Sequence, residues 1–432
     1  MDTSNDTSND RSSDIVIVGA GIAGLVAAIR ATEGGASVAL VDAHAPGGRA
    51  RTTERAGYEY NVGAHALYLN GHLRPFLAAR GLEPSGGMAD TGNVRLLRDG
   101  RLWPLSSSVL DIARTKLLTP RSRGRIVSLM ARLGKMDTSP FVGTCWADWL
   151  GNEPDDVAGI VRMFVRTAAY VNAPERFDAA AALDQFKLAR GGVRYLDHGW
   201  QTMVDAMLAA FNRRGGRLIV GSTVLSVEAD DTVTVTTDDA VLRGDAVILA
   251  GLAPEAVQRL TGVTIGGLEH TGRSVGASVL DIALRREHPG LVFGIDEPLY
   301  LSPHAPAARL APVGCGLVTL MRYSPDDEAV PASPDTVRAR LTELADQAGI
   351  RTEDIVHERY LHHLVVANGF PAAAAGGLAG RPRADALALP GVFIAGDWVG
   401  PRFQLADAAA ASGEDAAVAA LRHVTSRARV RG

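Results

Sequence analysis

Cysteine is almost missing from this chain: Cys145 and Cys315 are the whole supply, far apart and without the CxxC spacing that a zinc site or redox dithiol needs. Both read as packing residues. Also missing is any run of about 18 consecutive apolar residues, the length a bilayer-spanning helix requires. Neither sign of charge is in excess, since 44 Lys and Arg against 48 Asp and Glu leave a formal net charge of -4. That argues against a general electrostatic attraction for nucleic acid. The opening stretch MDTSNDTSNDRSS is polar and repetitive and lacks the basic and apolar regions of a signal peptide. Residues 1–13 are expected to form a disordered tail, and the chain to be cytoplasmic. His362 and His363 are adjacent, so they project differently and chelate poorly; no metal is assigned.

What the chain does carry is ample core-forming material. Hydrophobic residues make up 47% and charged residues 21%, the balance of a globular protein, and 432 residues exceed what one core comfortably serves, so two interleaved domains are expected. Asp14-Ile-Val-Ile-Val18 is a short β-branched run. Gly19-Ala-Gly-Ile-Ala-Gly24 follows at once and opens a helical stretch, Leu25 to Thr32, and a second strand, Ser37 to Val41, ends at Asp42. A bare GxGxxG says little. Strand, glycine turn, helix, strand and acid in that order form a dinucleotide-binding context. Gly19, Gly21 and Gly24, with Ala23 in the same turn, let the backbone turn tightly, approach a pyrophosphate and pack helix on strand, while helix N-terminal amides receive the anion. Asp42 sits where a carboxylate accepts both ribose hydroxyls; the plainer reading is a strand-end turn residue.

From Leu73 to about Trp200 the periodicity becomes helical, including Thr144 to Leu150 and Val157 to Tyr170. Strand-like runs resume at Gly216 to Val220, Thr223 to Val227, Val233 to Thr237 and Ala246 to Ala250. Arg273 to Leu284 and Leu317 to Tyr323 read as further strands and Asp335 to Gln347 as a helix. Gly391 to Asp397 is a buried strand ending in a glycine turn, and Leu405 to His423 is an alanine-rich helix. The expected fold class is α/β: a Rossmann-like nucleotide-binding domain assembled from residues 14–72, 201–265 and 366–425, with an inserted mixed α+β substrate domain from 73–200 and 266–365.

NAD and FAD share the glycine fingerprint, and the next residues separate them. In Pro46-Gly-Gly-Arg49, Gly47 and Gly48 permit a second close approach, and Arg49 can set a guanidinium against the pyrophosphate. At this point the sequence resembles the superfamily of flavin-dependent amine oxidases, phytoene desaturases and protoporphyrinogen oxidases, whose members carry a GGR doublet just after the ribose-binding acid. The resemblance implies non-covalently bound FAD and covers most of the chain. Gly57 to His65 looks like the segment that passes the isoalloxazine ring, which implies contacts from Gly63, Ala64 and His65. It makes His65 a catalytic candidate, against the plainer reading of a histidine satisfied by flavin or backbone. Asp197-His-Gly-Trp-Gln-Thr-Met203 is similar to the family's glycine turn and helix start, and Val224 matches the position whose backbone meets the adenine. Leu389 to Trp398, then Ala409 to Gly413, follow the family's C-terminal pattern. That implies Gly396, Asp397 and Trp398 near the ribityl and pyrophosphate groups, and amides from Leu405, Ala406 and Ala408 aimed at N1 and O2 of the flavin. His65 and Trp398 are the substrate-facing candidates, with Tyr195 and Trp200 behind them.

Only one GxGxxG stands in a strand-to-helix setting; Gly262 to Gly267 and Gly314 to Gly316 lack it. An NAD(P)H domain is therefore not expected, and the organic substrate should reduce FAD by hydride transfer, with O2 or another acceptor regenerating it. The GWxWxIP of flavin halogenases is absent, and Gly396-Asp397-Trp398-Val399 lacks the alanine-histidine continuation of aromatic hydroxylases. Amine oxidases of the superfamily commonly hold a lysine-bound water near flavin N5. Here Arg273 to Leu284 contains no lysine, and the chain's lysines are Lys116, Lys135 and Lys187 alone. The desaturase and protoporphyrinogen oxidase branches fit better, their effect coming from hydride alignment in an apolar pocket. The expected function is oxidation of a CH-CH or CH-NH bond in a hydrophobic or natural-product-like molecule. Non-redox isomerisation with reduced FAD and a flavin-free carrier on the same fold are the alternatives. Arg114 to Lys135 holds seven basic residues and no acid, a solvated helix face whose functional alternative is peripheral contact with an anionic membrane.

Overall fold

A computed structural model describes residues 12–105, 115–266, 268, 272–288, 290–326 and 332–431. The tail up to Arg11, Arg114 of the basic run and Gly267 lie outside the described residues. The β-branched run forms β1 (Ser12–Val18), and the alanine-rich stretch after it forms α1 (Ile22–Glu33), followed by β2 (Val38–Asp42). Strand β1 begins two residues before the expected start, because Ser12 and Ser13 pair with Arg243 and Gly244; these two residues do not belong to a tail. A hairpin of β3 (Thr52–Arg55) and β4 (Tyr58–Asn61) leads to β5 (Leu67–Tyr68), α2 (Leu73–Ala78), β6 (Gly86–Met88), β7 (Val94–Arg98) and β8 (Arg101–Leu105). Four helices follow: α3 (Pro120–Leu133), α4 (Trp146–Leu150), α5 (Asp155–Ala169) and α6 (Ala179–Ala189). Next come β9 (Val193–Leu196), α7 (Gln201–Arg213) and the strands β10 (Arg217–Val220), β11 (Val224–Ala229), β12 (Val233–Thr237) and β13 (Val241–Ala250), then α8 (Pro254–Thr261). The remainder is β14 (Val275–Leu284), β15 (Leu291–Gly294), β16 (Leu299–Ala305), β17 (Gly316–Tyr323), α9 (Pro334–Ala348), β18 (Ile355–Ala367), β19 (Val392–Ala395) and α10 (Leu405–Arg431).

Two seven-stranded sheets organise these elements. The first runs β10-β2-β1-β13-β12-β11, with β19 paired to β13. Its β10, β2, β1, β13 and β19 are parallel to one another, and the core of β1 and β13 is apolar on both faces, as a helix-covered parallel sheet requires. Helices α1, α7 and α10 bury Leu25, Ile29, Met203, Met207, Ala410 and Ala417 against it. N-terminal, middle and C-terminal chain thus build one sheet. The second sheet runs β18-β14-β17-β16-β15-β7-β8 and is antiparallel except for the β15-β7 pair. Its β7 and β8 come from the stretch read as helical, so both insertions meet in one sheet. The expected boundary between 365 and 366 falls inside β18, which continues to Ala367.

The basic helix α3 is started by Thr119, whose hydroxyl accepts the Ser122 amide at 3.2 Å. Ile126, Leu129 and Leu133 are buried in the core, and Arg125 makes a forked pair with Glu153 at 2.5 and 2.6 Å. Its apolar face is therefore turned inward. Among the described residues no helix is long and apolar enough to cross a bilayer, and no group of three or more His, Cys, Asp or Glu could hold a metal ion. Cys145 and Cys315 are half-buried and unbridged.

Candidate active site

A cavity of about 390 Å³ runs from the C-terminal ends of β1 and β2 to the second sheet. Gly19 ends β1 with φ +101°, and a Cβ there would overlap the Ala250 carbonyl; a Cβ on Gly24 would overlap the carbonyl of Gly19. Around Gly21 nothing stands within 4 Å, so its side-chain direction is open to the cavity. Gly21 is also the α1 N-cap and gives no side-chain cap. The first-turn amides therefore remain available to an anion. Asp42 borders the cavity with both carboxylate oxygens engaged: one accepts the Ala20 amide at 2.7 Å, the other the His44 amide at 2.8 Å. A second glycine loop crosses here, with Gly47 at φ +116° and its amide donating to the Ala20 carbonyl at 2.8 Å.

Arg49 and Asp397 meet in the cavity wall. Nη1 of Arg49 donates to Asp397 at 2.6 Å and to the Val366 carbonyl at 2.7 Å. The buried Asp397 carboxylate also accepts the Asn368 amide at 3.2 Å. Each group expected to hold the pyrophosphate or ribityl chain is thus paired first with the other.

At the far end Gly63 has φ +90°, a conformation that favours glycine, and a Cβ there would touch Leu364 and Val279. The Ala64 carbonyl accepts the Tyr170 hydroxyl at 3.0 Å. His65 lies 3.1 Å from the Gly63 carbonyl through Nδ1. Because a carbonyl only accepts, Nδ1 carries the proton. Burial pushes the His65 pKa down to about 4, so the ring is neutral at physiological pH and a weak base. Its edge packs on Trp200 with centroids 4.8 Å apart. The indole nitrogen of Trp200 is buried and without an acceptor among the described residues.

The family described as FAD dependent oxidoreductase matches residues 14–412. The chain belongs to the FAD-dependent oxidoreductase family. It is accordingly a flavoenzyme whose cofactor is FAD. Among solved structures it is similar to putrescine oxidase in complex with putrescine (16% identity, TM-score 0.75, covering 95% of this chain and 99% of that one). It is also similar to cyclohexylamine oxidase from Brevibacterium oxydans (17%, TM-score 0.71, 96% and 99%) and to a protein assigned as a protoporphyrinogen oxidase from an Exiguobacterium species (17%, TM-score 0.72, 94% and 98%). At these identities the likeness shows the shared fold. No curated protein sequence matches the chain.

The residues present fit FAD: an elongated cavity, an open Gly21, uncapped helix amides at one end, and an orphaned indole N–H beside it. Of the residues singled out in the sequence, Gly19, Gly21, Ala23, Asp42, Gly48, Arg49, Gly63, Ala64, His65, Asp397, Leu405 and Ala406 all border the cavity. Gly24, Val224, Gly396, Trp398 and Ala408 are not in its wall. Gly24 serves helix packing, Ala408 is fully buried in α10, and Val224 opens β11 while the nearby Ser222 amide bonds the Asp42 carbonyl at 3.3 Å. Trp398 is the clearest correction. It is a core residue whose indole donates to the Leu252 carbonyl at 2.9 Å, and Gly396 is small because that indole packs beside it. Trp200 takes the place expected of Trp398, whereas Tyr195 sits behind the wall, bonded to Ser302 at 2.7 Å. Sequence reasoning missed Tyr68, Tyr170, Val279, Met321, Leu364 and Asp407, which border the cavity. Asp407, in the first turn of α10, accepts the Leu73 amide at 2.8 Å, and burial raises its pKa to about 6.

The two glycines should separate folding from binding. Gly24→Ala should lower the melting temperature of FAD-free protein sharply. Gly21→Ala should change stability by no more than about 0.5 kcal/mol yet weaken FAD binding about tenfold or more, read by fluorescence titration. Equal stability loss in both would contradict the placement.

A second expectation concerns acid. His304 is buried, its ring tilted against Tyr195 with centroids 4.2 Å apart, and its pKa is pushed by burial to about 3. The unfolded chain then binds a proton below about pH 6.5 that the folded chain does not, so this stabilisation is full above that pH and is lost on acidification. The buried Asp407 acts in the opposite direction between about pH 4 and 6, so the comparison needs a variant. His304→Phe should remove about 2 kcal/mol of the stability difference between pH 7 and pH 5 in urea unfolding. An unchanged pH dependence would show that His304 is not held neutral.

Proposed function

We propose that the enzyme takes a hydride from a CH-CH or CH-NH bond of an uncharged, hydrophobic small molecule, which is itself the electron donor to FAD. The observation that carries this reading is the wall facing Gly63 and Ala64. It consists of Tyr170, Val279, Met321, Leu364, Val365 and Val366. No formal charge stands in it. The Tyr170 hydroxyl is spent on Ala64, and burial raises its pKa well above the usual tyrosine value. An ammonium or carboxylate brought against such a wall would lose hydration without gaining a partner.

Bound FAD supplies a two-electron acceptor that O2 or another oxidant then regenerates. The protein's own part is alignment. Tyr170, Val279 and Leu364 exclude water and fix the substrate's face, which lowers the barrier by orientation. The first turn of α10, at Leu405 and Ala406, presents the positive end of its dipole to the cavity and favours negative charge on the reduced cofactor. Strand β14 has no lysine, and Lys187 is engaged with Asp184 at 2.6 Å, so the lysine-bound water of amine oxidases has no counterpart on this strand. His65, neutral and hydrogen-bonded to backbone, orients the turn and does not act as a base at neutral pH.

Anaerobic mixing of FAD-loaded protein with polyenes, porphyrinogens, amines, NADH and NADPH tests this. An uncharged donor such as a polyene should reduce the flavin rapidly, and ammonium-bearing amines, carboxylate-bearing porphyrinogens and both nicotinamides slowly. The rate should show no histidine ionisation between about pH 6 and pH 9. His65→Ala should slow the step or weaken FAD binding without introducing such an ionisation. Rapid, saturable reduction by NADPH would contradict the proposal.

A further inference from the structure

Strand β18 breaks register with β14 at three places, and the reaction described above does not use the middle one. It pairs with β14 so that Leu361 faces Val279 and Leu364 faces Ala277, leaving three steps on β18 against two on β14. In a regular pair, residues 361 and 364 would point to opposite faces. Here both pack into one cluster with Ala277, Val279 and Met321. The extra residue is accommodated at His362 and His363, where His363 has φ +49°. This is a β-bulge, a device that bends a strand and re-aims the side chains beyond it.

The bulge is built rather than loose. Ser278, buried on β14, accepts the His363 amide at 3.1 Å and lies 3.3 Å from Nδ1 of His362, which the Tyr360 hydroxyl also reaches at 3.0 Å. Gly276 leaves room for the His363 ring, since a Cβ there would stand 3.2 Å from its Cε1. Directly beyond the bulge the chain enters the cavity wall at Leu364, Val365 and Val366. Leu364 faces Gly63, and the Val366 carbonyl bonds Arg49.

We infer that the His362–His363 bulge, clamped by the Ser278 hydroxyl, sets the height of the substrate wall above the flavin ring and so decides which molecules fit. Ser278 is a positioning residue that acts through β18. The inference rests on the reading that the flavin ring lies along Gly63 to His65. Without the hydroxyl the His363 amide loses its partner, and β18 relaxes toward regular pairing at this point. Deleting His363 removes the extra residue of this break while keeping Leu361 and Leu364 on one face, and it draws the wall along the strand by about 3.3 Å.

The test uses FAD-loaded wild type, Ser278→Ala and the His363 deletion, with sulfite as probe. Sulfite adds reversibly to bound flavin and removes its long-wavelength absorption, so its Kd reports access to the ring. Both variants should hold FAD within about twofold of wild type and shift the sulfite Kd by about tenfold or more, the scale expected when a reacting surface is misplaced by about an ångström. Unchanged sulfite affinity in both variants would overturn the assignment. So would a parallel fall of FAD affinity, sulfite affinity and melting temperature, which marks a purely structural bulge. A wild-type protein that takes up no FAD would overturn the functional reading and the bulge assignment with it.

Discussion

Everything in the site depends on backbones approaching more closely than side chains allow. The carbonyl of Gly19 occupies the space of a Gly24 side chain, the carbonyl of Ala250 that of a Gly19 side chain, and the carbonyl of Ala23 that of a Gly413 side chain. These contacts join the N-terminal strand and helix to β13 from the middle of the chain and to α10 from its end. The helix N-termini of α1 and α10 are thereby drawn to the same cavity. Adding one methyl group at these points would part the elements, and the amides that receive charge would no longer converge.

A second constraint ties the β3–β4 hairpin to the second sheet at the opposite end. Arg359 on β18 pairs with the buried Asp281 of β14 at 2.6 Å, donates to the Asn61 carbonyl, and lies over the Tyr60 ring with its carbon 4.9 Å from the centroid. Asp281 is further held by the Thr319 hydroxyl at 2.7 Å. One buried ion pair therefore fixes the residue that leads directly into Val62, Gly63 and His65. Such a pair contributes more to geometry than to net stability, because desolvation offsets most of its attraction. The bulge at His362 and His363 begins three residues further along the same strand. Cofactor turn and substrate wall share one support.

What could be read in the sequence follows from where local chemistry leaves a mark. A glycine needed for close approach cannot be replaced by pattern, so the turn at Gly19 to Gly24, the acid at Asp42 and the strand-turn ending at Gly396 were all legible. The parallel strands were legible because burial on both faces leaves an unbroken apolar run. Strand β18 was not: it is an edge strand with His357, Glu358, Arg359, His362 and His363 in its length, and its bulge breaks the two-residue period by which strands are recognised. The exchange between Trp398 and Trp200 has a different cause. Each follows a glycine turn, and which indole faces the cavity is decided by the direction of the turn and by the acceptor at Leu252, neither of which a single sequence reveals. Helix α10 runs past His423 to Arg431 because arginine, alanine and valine continue without a helix stop.

The chemistry proposed for the site depends on the orientation of FAD in the cavity, and a crystal structure of the FAD-loaded protein tests that most directly. It should show the adenosine ribose at Asp42, the pyrophosphate over Gly21 and the α1 amides, and the isoalloxazine ring between the Gly63 to His65 turn and Leu364. A ring lying away from Gly63, or the cofactor reversed in the cavity, would contradict it.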